Sequence, residues 1–253
     1  MHPTRLHALL TKVARRQISV AGAVAALKRL PFENLEFVKV DHHRHLRQGF
    51  PEVVFGEGKS QAQIVAISRT LWRQSGTALI TRVGAPAVRA LRTAGLPVRY
   101  HTRARCAVVS RHRPPAPAGR VAVLTAGTAD IPVAEEAAVA AAWMGARVEK
   151  IYDVGVAGIH RLLVHYSRLS RARCAIVAAG MEGALPSVVG GLVPCPVIAV
   201  PTSVGYGVAW RGLTALAAML STCSPNVLTV NIDNGFSAGL CAGLINRLGA
   251  RLP

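Results

Sequence analysis

From Arg120 onward the chain alternates short, mostly apolar segments with longer helix-patterned ones, and this alternation leaves few architectures open. The strand-like segments are VAVLTAG, RVEKIYDVG, CAIVAAG, PVIAVPT and NVLTVNI, each rich in Val, Ile or Ala and each closing on a Gly, Asp, Thr or Asn cluster. Between them lie PVAEEAAVAAAWMGA, GIHRLLVHYSRLSR, LPSVVGGLV and WRGLTALAAMLSTC, and NGFSAGLCAGLINRLG closes the series. A strand apolar on both faces must be covered on both, so the expected fold is α/β, a doubly wound parallel sheet between two helical layers. Ligands in such sheets bind beyond the carboxyl ends of the strands. The loops TAGTAD, YDVGVAGIHR, AAGMEGALP, PTSVGYG and NIDNGF are therefore expected to converge on one rim.

The first half follows other patterns. Leu6, Leu9, Leu10 and Val13, then Val20, Val24, Leu27 and Leu30, recur at helical spacing, which predicts a helical N-terminal arm over 1–35. The polar, glycine-punctuated stretch DHHRHLRQGFPEVVFGEGKS opens a small α+β domain over 36–112, with a helix from Gln61 to Gly76, a strand TALITRV and a second helix APAVRALRTAG. Pro114, Pro115 and Pro117 mark 113–119 as a linker, after which 120–253 forms the second domain.

Composition narrows the function classes. A formal charge of +18 suggests an anionic partner, yet the basic residues crowd the first half, and aromatics are only 5% of the chain, too few for a base-stacking nucleic-acid platform. No apolar run is long enough to span a bilayer, since Pro194, Pro196 and Pro201 interrupt the longest. The start is basic without an apolar signal core, so a cytoplasmic protein away from membranes is expected. The five cysteines are odd in number and lack close metal-type pairs, which favours reduced thiols.

Between Cys174 and Ile245 the formally charged residues are Glu182, Arg211 and Asp233. An acid in so apolar a stretch is either a helix cap or a group in a closed cleft with a raised pKa and a proton to move, and Glu182 is read both ways. Asp233 divides between ligand contact and loop support. Cys223 stands in MLSTCSPN between a helix and a strand, whereas Cys174, Cys195 and Cys241 sit in apolar runs. It is either a nucleophile or one more small hydrophobe. In TAGTADIPVAEEA, Gly127 and Thr128 follow a strand and Asp130 is a candidate helix cap, an arrangement that attracts phosphate or makes an ordinary turn. His42, His43 and His45 resemble a metal cluster, but adjacent side chains diverge and phosphate contact or exposure fits them better. A Walker loop and a strand-linked GxGxxG are both missing, which removes the usual support for ATPase and Rossmann dehydrogenase readings.

Together, DHHRHLRQGFPEVVFGEGK, TAGTADIPVAEEA, YDVGVAGIHRLL, GMEGALPSVVGGLVPCPVIAVPTSVGYG and MLSTCSPNVLTVNIDNGFSAG closely resemble the pyridinium-3,5-biscarboxylic acid mononucleotide synthase family, LarB. The resemblance implies a C-terminal domain like aminoimidazole ribonucleotide carboxylase, flavodoxin-like and octameric, so a homo-oligomer. It further implies that nicotinic acid adenine dinucleotide is carboxylated at pyridinium C5 and its phosphoanhydride hydrolysed, releasing AMP, for nickel-pincer cofactor synthesis. CO2 or bicarbonate is the co-substrate, no tightly bound cofactor is expected, and Mg2+ is a candidate aid to anhydride cleavage.

On that resemblance Cys223 adds to the ring as a thiolate and Glu182 removes the C5 proton. Arg44, Arg47, Gly127, Thr128, Asp130, Asp153, His160, Arg161, Gly180, Met181, Thr202, Ser203, Asp233 and Asn234 are the implied substrate contacts. Ala129 stands where the family has Ser. Asp130 and His160 also match the purine enzyme, but Ala184 replaces its second loop histidine before Leu185 and Pro186, which counts against that alternative. A noncatalytic protein binding nucleotide or nucleic acid, or serving the nickel pathway, would keep the fold without needing Cys223.

Overall fold

The computed structural model describes residues 3–28, 32–111 and 119–248. They form two compact units, divided in the main between residues 111 and 119. Most of the linker expected at 113–119 lies outside the described residues.

The first unit opens with α1 (Pro3–Ala14) and α2 (Val20–Lys28), separated at Ser19, whose hydroxyl accepts the Gly22 N–H and whose carbonyl accepts that of Ala23. The expected arm is thus a helical pair that stops short of residue 35. Phe32–Asn34 is instead a strand, β1, antiparallel to β2 (Lys39–Asp41). The polar stretch read as one segment resolves into β2, the short α3 (Arg44–Gln48) and β3 (Val53–Phe55). Then follow α4 (Gln61–Ser75), β4 (Thr77–Thr81), α5 (Ala85–Thr93), β5 (Val98–His101) and β6 (Cys106–Ser110). Ser60 and Gln63 form a reciprocal capping box that starts α4. The sheet order is β3-β4-β6-β5, with β3 and β4 parallel about α4 and β6 antiparallel to β4. Ile64, Leu71, Ile80, Val88 and Leu91 fill its core.

The second unit is the doubly wound domain. Its elements are β7 (Arg120–Thr125), α6 (Ile131–Trp143), β8 (Arg147–Ile151), α7 (His160–Leu163), α8 (Tyr166–Leu169), β9 (Cys174–Ala179), α9 (Leu185–Leu192), β10 (Val197–Pro201), α10 (Leu213–Leu220), β11 (Val227–Thr229) and α11 (Gly235–Leu248). All five strands are parallel in the order β8-β7-β9-β10-β11, the flavodoxin-like arrangement. Alternate residues of β9 serve two cores: Ala175, Val177 and Ala179 meet Leu185, Val189, Ala215 and Met219 on one face. Cys174, Ile176 and Ala178 meet the alanines of α6 and α11 on the other.

The α6–α11 contact explains a glycine spacing that helix propensity alone disfavours. Gly235, Gly239 and Gly243 lie four residues apart on one face of α11, and a Cβ there would strike the Val133 carbonyl, the Ala137 carbonyl and the Met144 side chain respectively. The backbones meet because these side chains are absent. At the head of α11, the buried Glu136 accepts the Phe236 N–H at 3.1 Å, a carboxylate placed where the helix dipole favours one.

Candidate active site

In the order β8-β7-β9-β10-β11 the connections change direction between β7 and β9, so the crevice lies at the carboxyl ends of those two strands. Asp130 occupies it. The residue is 3% exposed, Oδ2 accepts the Gly127 N–H at 2.8 Å, and Oδ1 accepts the Thr202 hydroxyl at 2.6 Å. The Gly180 N–H is a further donor. Burial, reinforced by the charge of Asp233, outweighs these donors and raises the Asp130 pKa. The expected cap is thereby corrected: Asp130 makes no side-chain capping bond to α6 and turns into the crevice. Asp233, at the end of the β11 loop, accepts the Ser203 N–H at 2.8 Å, while its own N–H donates to Pro201 O. The adjacent residues Thr202 and Ser203 therefore each serve one carboxylate.

Glycine is required where this loop cluster is tightest. A Cβ on Gly180 would overlap the Val204 carbonyl and the Thr202 hydroxyl, and one on Gly155 would meet the Ala126 carbonyl at 2.8 Å. The β8 loop is tied to the same rim, because the buried Thr125 accepts the Asp153 N–H through Oγ1 at 3.0 Å. Asp153 in turn pairs with Arg161 at 2.8 Å, and His160 beside it is exposed. Asp153, Met181, Trp210, Arg211 and Asp233 all have left-handed backbones, with φ between 41° and 59°, and all follow strand carboxyl ends. Such strain gathers at ligand-binding rims. Gly127 is half-buried and Thr128 exposed on the first loop, whereas Asn234 accepts the Ser237 N–H through Oδ1 and caps α11. Thr125 and Glu136 carry little signal in the sequence, since a Thr closing a strand and an acid inside AEEA are common by themselves.

Of the two residues given chemical roles by resemblance, Glu182 follows β9 on the same side as the rim, whereas Cys223 precedes β11. Glu182 is exposed on the loop that leads into α9, not enclosed in a cleft. Cys223 is exposed in the turn between α10 and β11, on the amino-end side of the sheet, and Cys241, expected inside an apolar run, is exposed as well. The Cys223 turn is pinned to α9 on both sides. Thr222 and Ser187 share a hydroxyl–hydroxyl bond of 2.8 Å, Ser224 Oγ donates to Ser187 O, and Asn226 Nδ2 reaches the carbonyls of Gly190, Val193 and Cys195 at 3.0–3.2 Å. Ser187 belongs to the first turn of α9, so one short helix joins the Glu182 loop to the Cys223 turn.

Arg44 and Arg47 lie in the first unit and serve its own acids. Arg47 Nη2 sits 2.6 Å from Asp41 Oδ2, and Arg44 is 3.7 Å from Asp41 and 3.9 Å from Glu52. Burial pushes the Asp41 pKa up, but Arg47 and the N–H groups of His43 and Arg44 outweigh it and hold it below the usual value. His42 is buried with Nε2 3.0 Å from Glu33, and His43 and His45 are half-buried, so none of the three is exposed. Among the described residues, no three His, Cys, Asp or Glu side chains converge to hold a metal ion. Asp130 and Asp233 spend oxygens on N–H and O–H donors, so the donor set does not fit a protein-built Mg2+ cage.

A parallel sheet with a polar, glycine-lined switch point defines a flavodoxin-like ligand-binding domain. A family model described as AIR carboxylase matches residues 120–251, and one described as LarB/PurE-like N-terminal domain matches residues 32–111. An uncharacterized protein of Methanocaldococcus jannaschii is 39% identical over 252 residues, covering 96% of this chain and 97% of that protein. A crystal structure of a Treponema denticola PurE2 variant, 20% identical, covers 52% of this chain and 89% of its own at a TM-score of 0.38. The chain belongs to the AIR carboxylase family and carries the LarB/PurE-like N-terminal domain before it, which makes it a LarB-like protein of the carboxylase class.

Proposed function

We propose that this chain carboxylates C5 of the pyridinium ring of nicotinic acid adenine dinucleotide and hydrolyses its phosphoanhydride, yielding pyridinium-3,5-biscarboxylic acid mononucleotide and AMP for nickel-pincer cofactor synthesis. The observation that carries this reading is the match of residues 32–111 to the LarB/PurE-like N-terminal domain ahead of an AIR carboxylase domain over 120–251, in a chain whose Cys223 and Glu182 are both exposed. A pyridinium carbon is too electron-poor to attack CO2. Addition of the Cys223 thiolate at C4 turns the ring into an enamine with a nucleophilic C5. C5 then bonds to CO2. Glu182 takes the C5 proton, the C4–S electron pair returns to sulfur, and the ring is aromatic again. The rim around Asp130 and Asp233, with Arg161 on the adjoining loop, binds the polar and anionic parts of the substrate.

A homo-oligomer, octameric by the family resemblance, suits the exposed surface of the second unit. Tyr206, Val208, Trp210 and Leu213 are exposed after β10, and Ile159, Leu163, Val164 and Tyr166 after β8. Exposed apolar side chains of this kind are what the interfaces of a closed assembly bury. Among the described residues, no helix is long and apolar enough to cross a membrane.

Incubation with nicotinic acid adenine dinucleotide and bicarbonate should release AMP and a product heavier by one carboxylate than nicotinic acid mononucleotide. The family match over 120–251 also favours aminoimidazole ribonucleotide as a second substrate to try. Turnover of that compound, with the dinucleotide untouched, would replace the first reading.

A further inference from the structure

The first unit carries a groove to which the proposed reaction gives no role. It holds about 470 Å³ and is lined by Pro86, Arg89, Ala90, Thr93 and Ala94, with Gln61 from the first turn of α4. The five positions that run along α5 are three or four residues apart in turn, so they share one face of that helix. Ala87, Val88 and Leu91 are buried and anchor α5, which leaves the grooved face open. Arg69 of α4 donates to the Ala94 carbonyl at 3.3 Å and ties α4 to the end of α5.

Charge singles out one lining residue. From Gly58 to Ala129 the sequence has twelve Lys and Arg residues and no Asp or Glu. Cations on the loops that precede the two helices are already engaged: Lys59 donates to the Phe55 carbonyl at 2.8 Å, and Arg82 pairs with Glu57 at 3.2 Å. Arg89 is exposed, and its side chain makes no ion pair or hydrogen bond among the described residues. An unopposed guanidinium in a field free of acids attracts an anionic group, and its planar fork matches a phosphate.

The rest of the lining decides what carries the phosphate. Pro86, Ala90 and Ala94 are small and apolar, while Gln61 and Thr93 add a neutral amide and a hydroxyl. A groove of this volume exceeds an inorganic phosphate ion and falls within the range of small-molecule sites, roughly 300–1,000 Å³. A polynucleotide would need a row of phosphate contacts, and the lining offers a single cation. We infer that the groove between α4 and α5 is a mononucleotide site, with Arg89 on the phosphate and the Pro86, Ala90 and Ala94 face against the nucleoside. The site belongs to the first unit, so it does not depend on which reaction the second unit performs.

Photoaffinity labelling of the full chain with azido-AMP tests this without any turnover, and mass spectrometry of the labelled peptides tells the two units apart. Label is expected on peptides spanning 61–69 and 85–94. AMP should displace it, and adenosine and inorganic phosphate should each do so at least about tenfold less well, since each lacks one part of the ligand. Arg89→Glu should raise the concentration for half-maximal labelling of these peptides at least about tenfold, the scale of losing hydrogen bonds to a charged group, with the melting temperature unchanged. Arg92→Glu makes the same charge change at an exposed position of α5 outside the groove, and screening should hold its effect to about twofold. Label confined to the second unit, or equal weakening by Arg89→Glu and Arg92→Glu, would overturn the inference. Displacement by inorganic phosphate at the same concentrations as AMP would overturn the mononucleotide as the ligand.

Discussion

The side-chain oxygens of Ser187 and Thr222 lie 2.8 Å apart and join the first turn of α9 to the turn that presents Cys223. Ser187→Ala removes that bond without creating a large void. It should leave the melting temperature nearly unchanged while lowering turnover by up to about 100-fold, the scale of a displacement of about 1 Å at a reacting group. Alkylation of Cys223 by a small reagent, followed by mass, reports the thiol directly. Unchanged turnover would show that the turn holds its place without α9.

Asn226 has a different task in the same turn. Its amide donates to three carbonyls, and Asn226→Ala would strand them at the end of α9. The expected loss is on the order of 1–3 kcal/mol of stability, measurable by denaturant unfolding. A loss within about 0.5 kcal/mol, the range of an ordinary surface change, would mean that water replaces the amide.

Glu182 is exposed and follows β9, so its replacement by Gln should not disturb the core. Turnover should nonetheless fall on the order of 100-fold or more, as for loss of a general acid or base. Parent-like turnover would reduce Glu182 to loop support.

The α6–α11 contact predicts a stability effect at a position remote from the rim. In Gly239→Ala the new methyl meets the Ala137 carbonyl oxygen and the Ala140 side chain, and neither can move without shifting α6. Although alanine favours helices, the variant should lose about 1–3 kcal/mol by overpacking. Gly191→Ala, where the space around a Cβ is open, is the control and should be neutral or slightly stabilising.

The Asp41–Arg47 pair carries a pH dependence of the opposite sign to that of Asp130. A depressed aspartate pKa stabilises the fold above the unfolded value and loses that contribution as pH falls through the folded value. Arg47→Ala should therefore lower the stability of the parent near neutrality and flatten its decline below about pH 4. Thermal unfolding from pH 3 to 7 measures this. If the positive first half also attracts the dinucleotide, KM should rise with salt in the parent, and Arg47→Ala should mimic part of that rise. A KM indifferent to both would leave Arg47 with Asp41 alone.

The parallel sheet could be read from residues such as those of β9, because six consecutive buried side chains in a strand demand cover on both faces. The α4 boundaries could be read from the Ser60 cap, a local signal. Phe32–Asn34 could not, since a three-residue strand next to a helical pattern depends on its partner Lys39–Asp41. Glu182 and Cys241 are exposed within apolar stretches for a related reason: an apolar neighbourhood in sequence does not say which way one side chain leaves the backbone. Asp130 stands out in sequence by its place before a helix, yet its hydrogen-bond partner Thr202 is 72 residues away. The pinning of Cys223 by Ser187 and Asn226 is equally nonlocal.

Covalent catalysis by Cys223 is tested most directly by a spectrum with excess NAD. That compound carries an amide where the proposed substrate carries a carboxylate, and its C4 should accept the thiolate to give a dihydropyridine that absorbs in the near ultraviolet, as reduced nicotinamides do. Intact mass under nondenaturing conditions should show the adduct. Cys223→Ser should lose both the absorbance and carboxylation, since a serine hydroxyl is scarcely ionised at neutral pH, while Cys195→Ser and Cys241→Ser keep them. Retained carboxylation in Cys223→Ser would contradict the covalent mechanism.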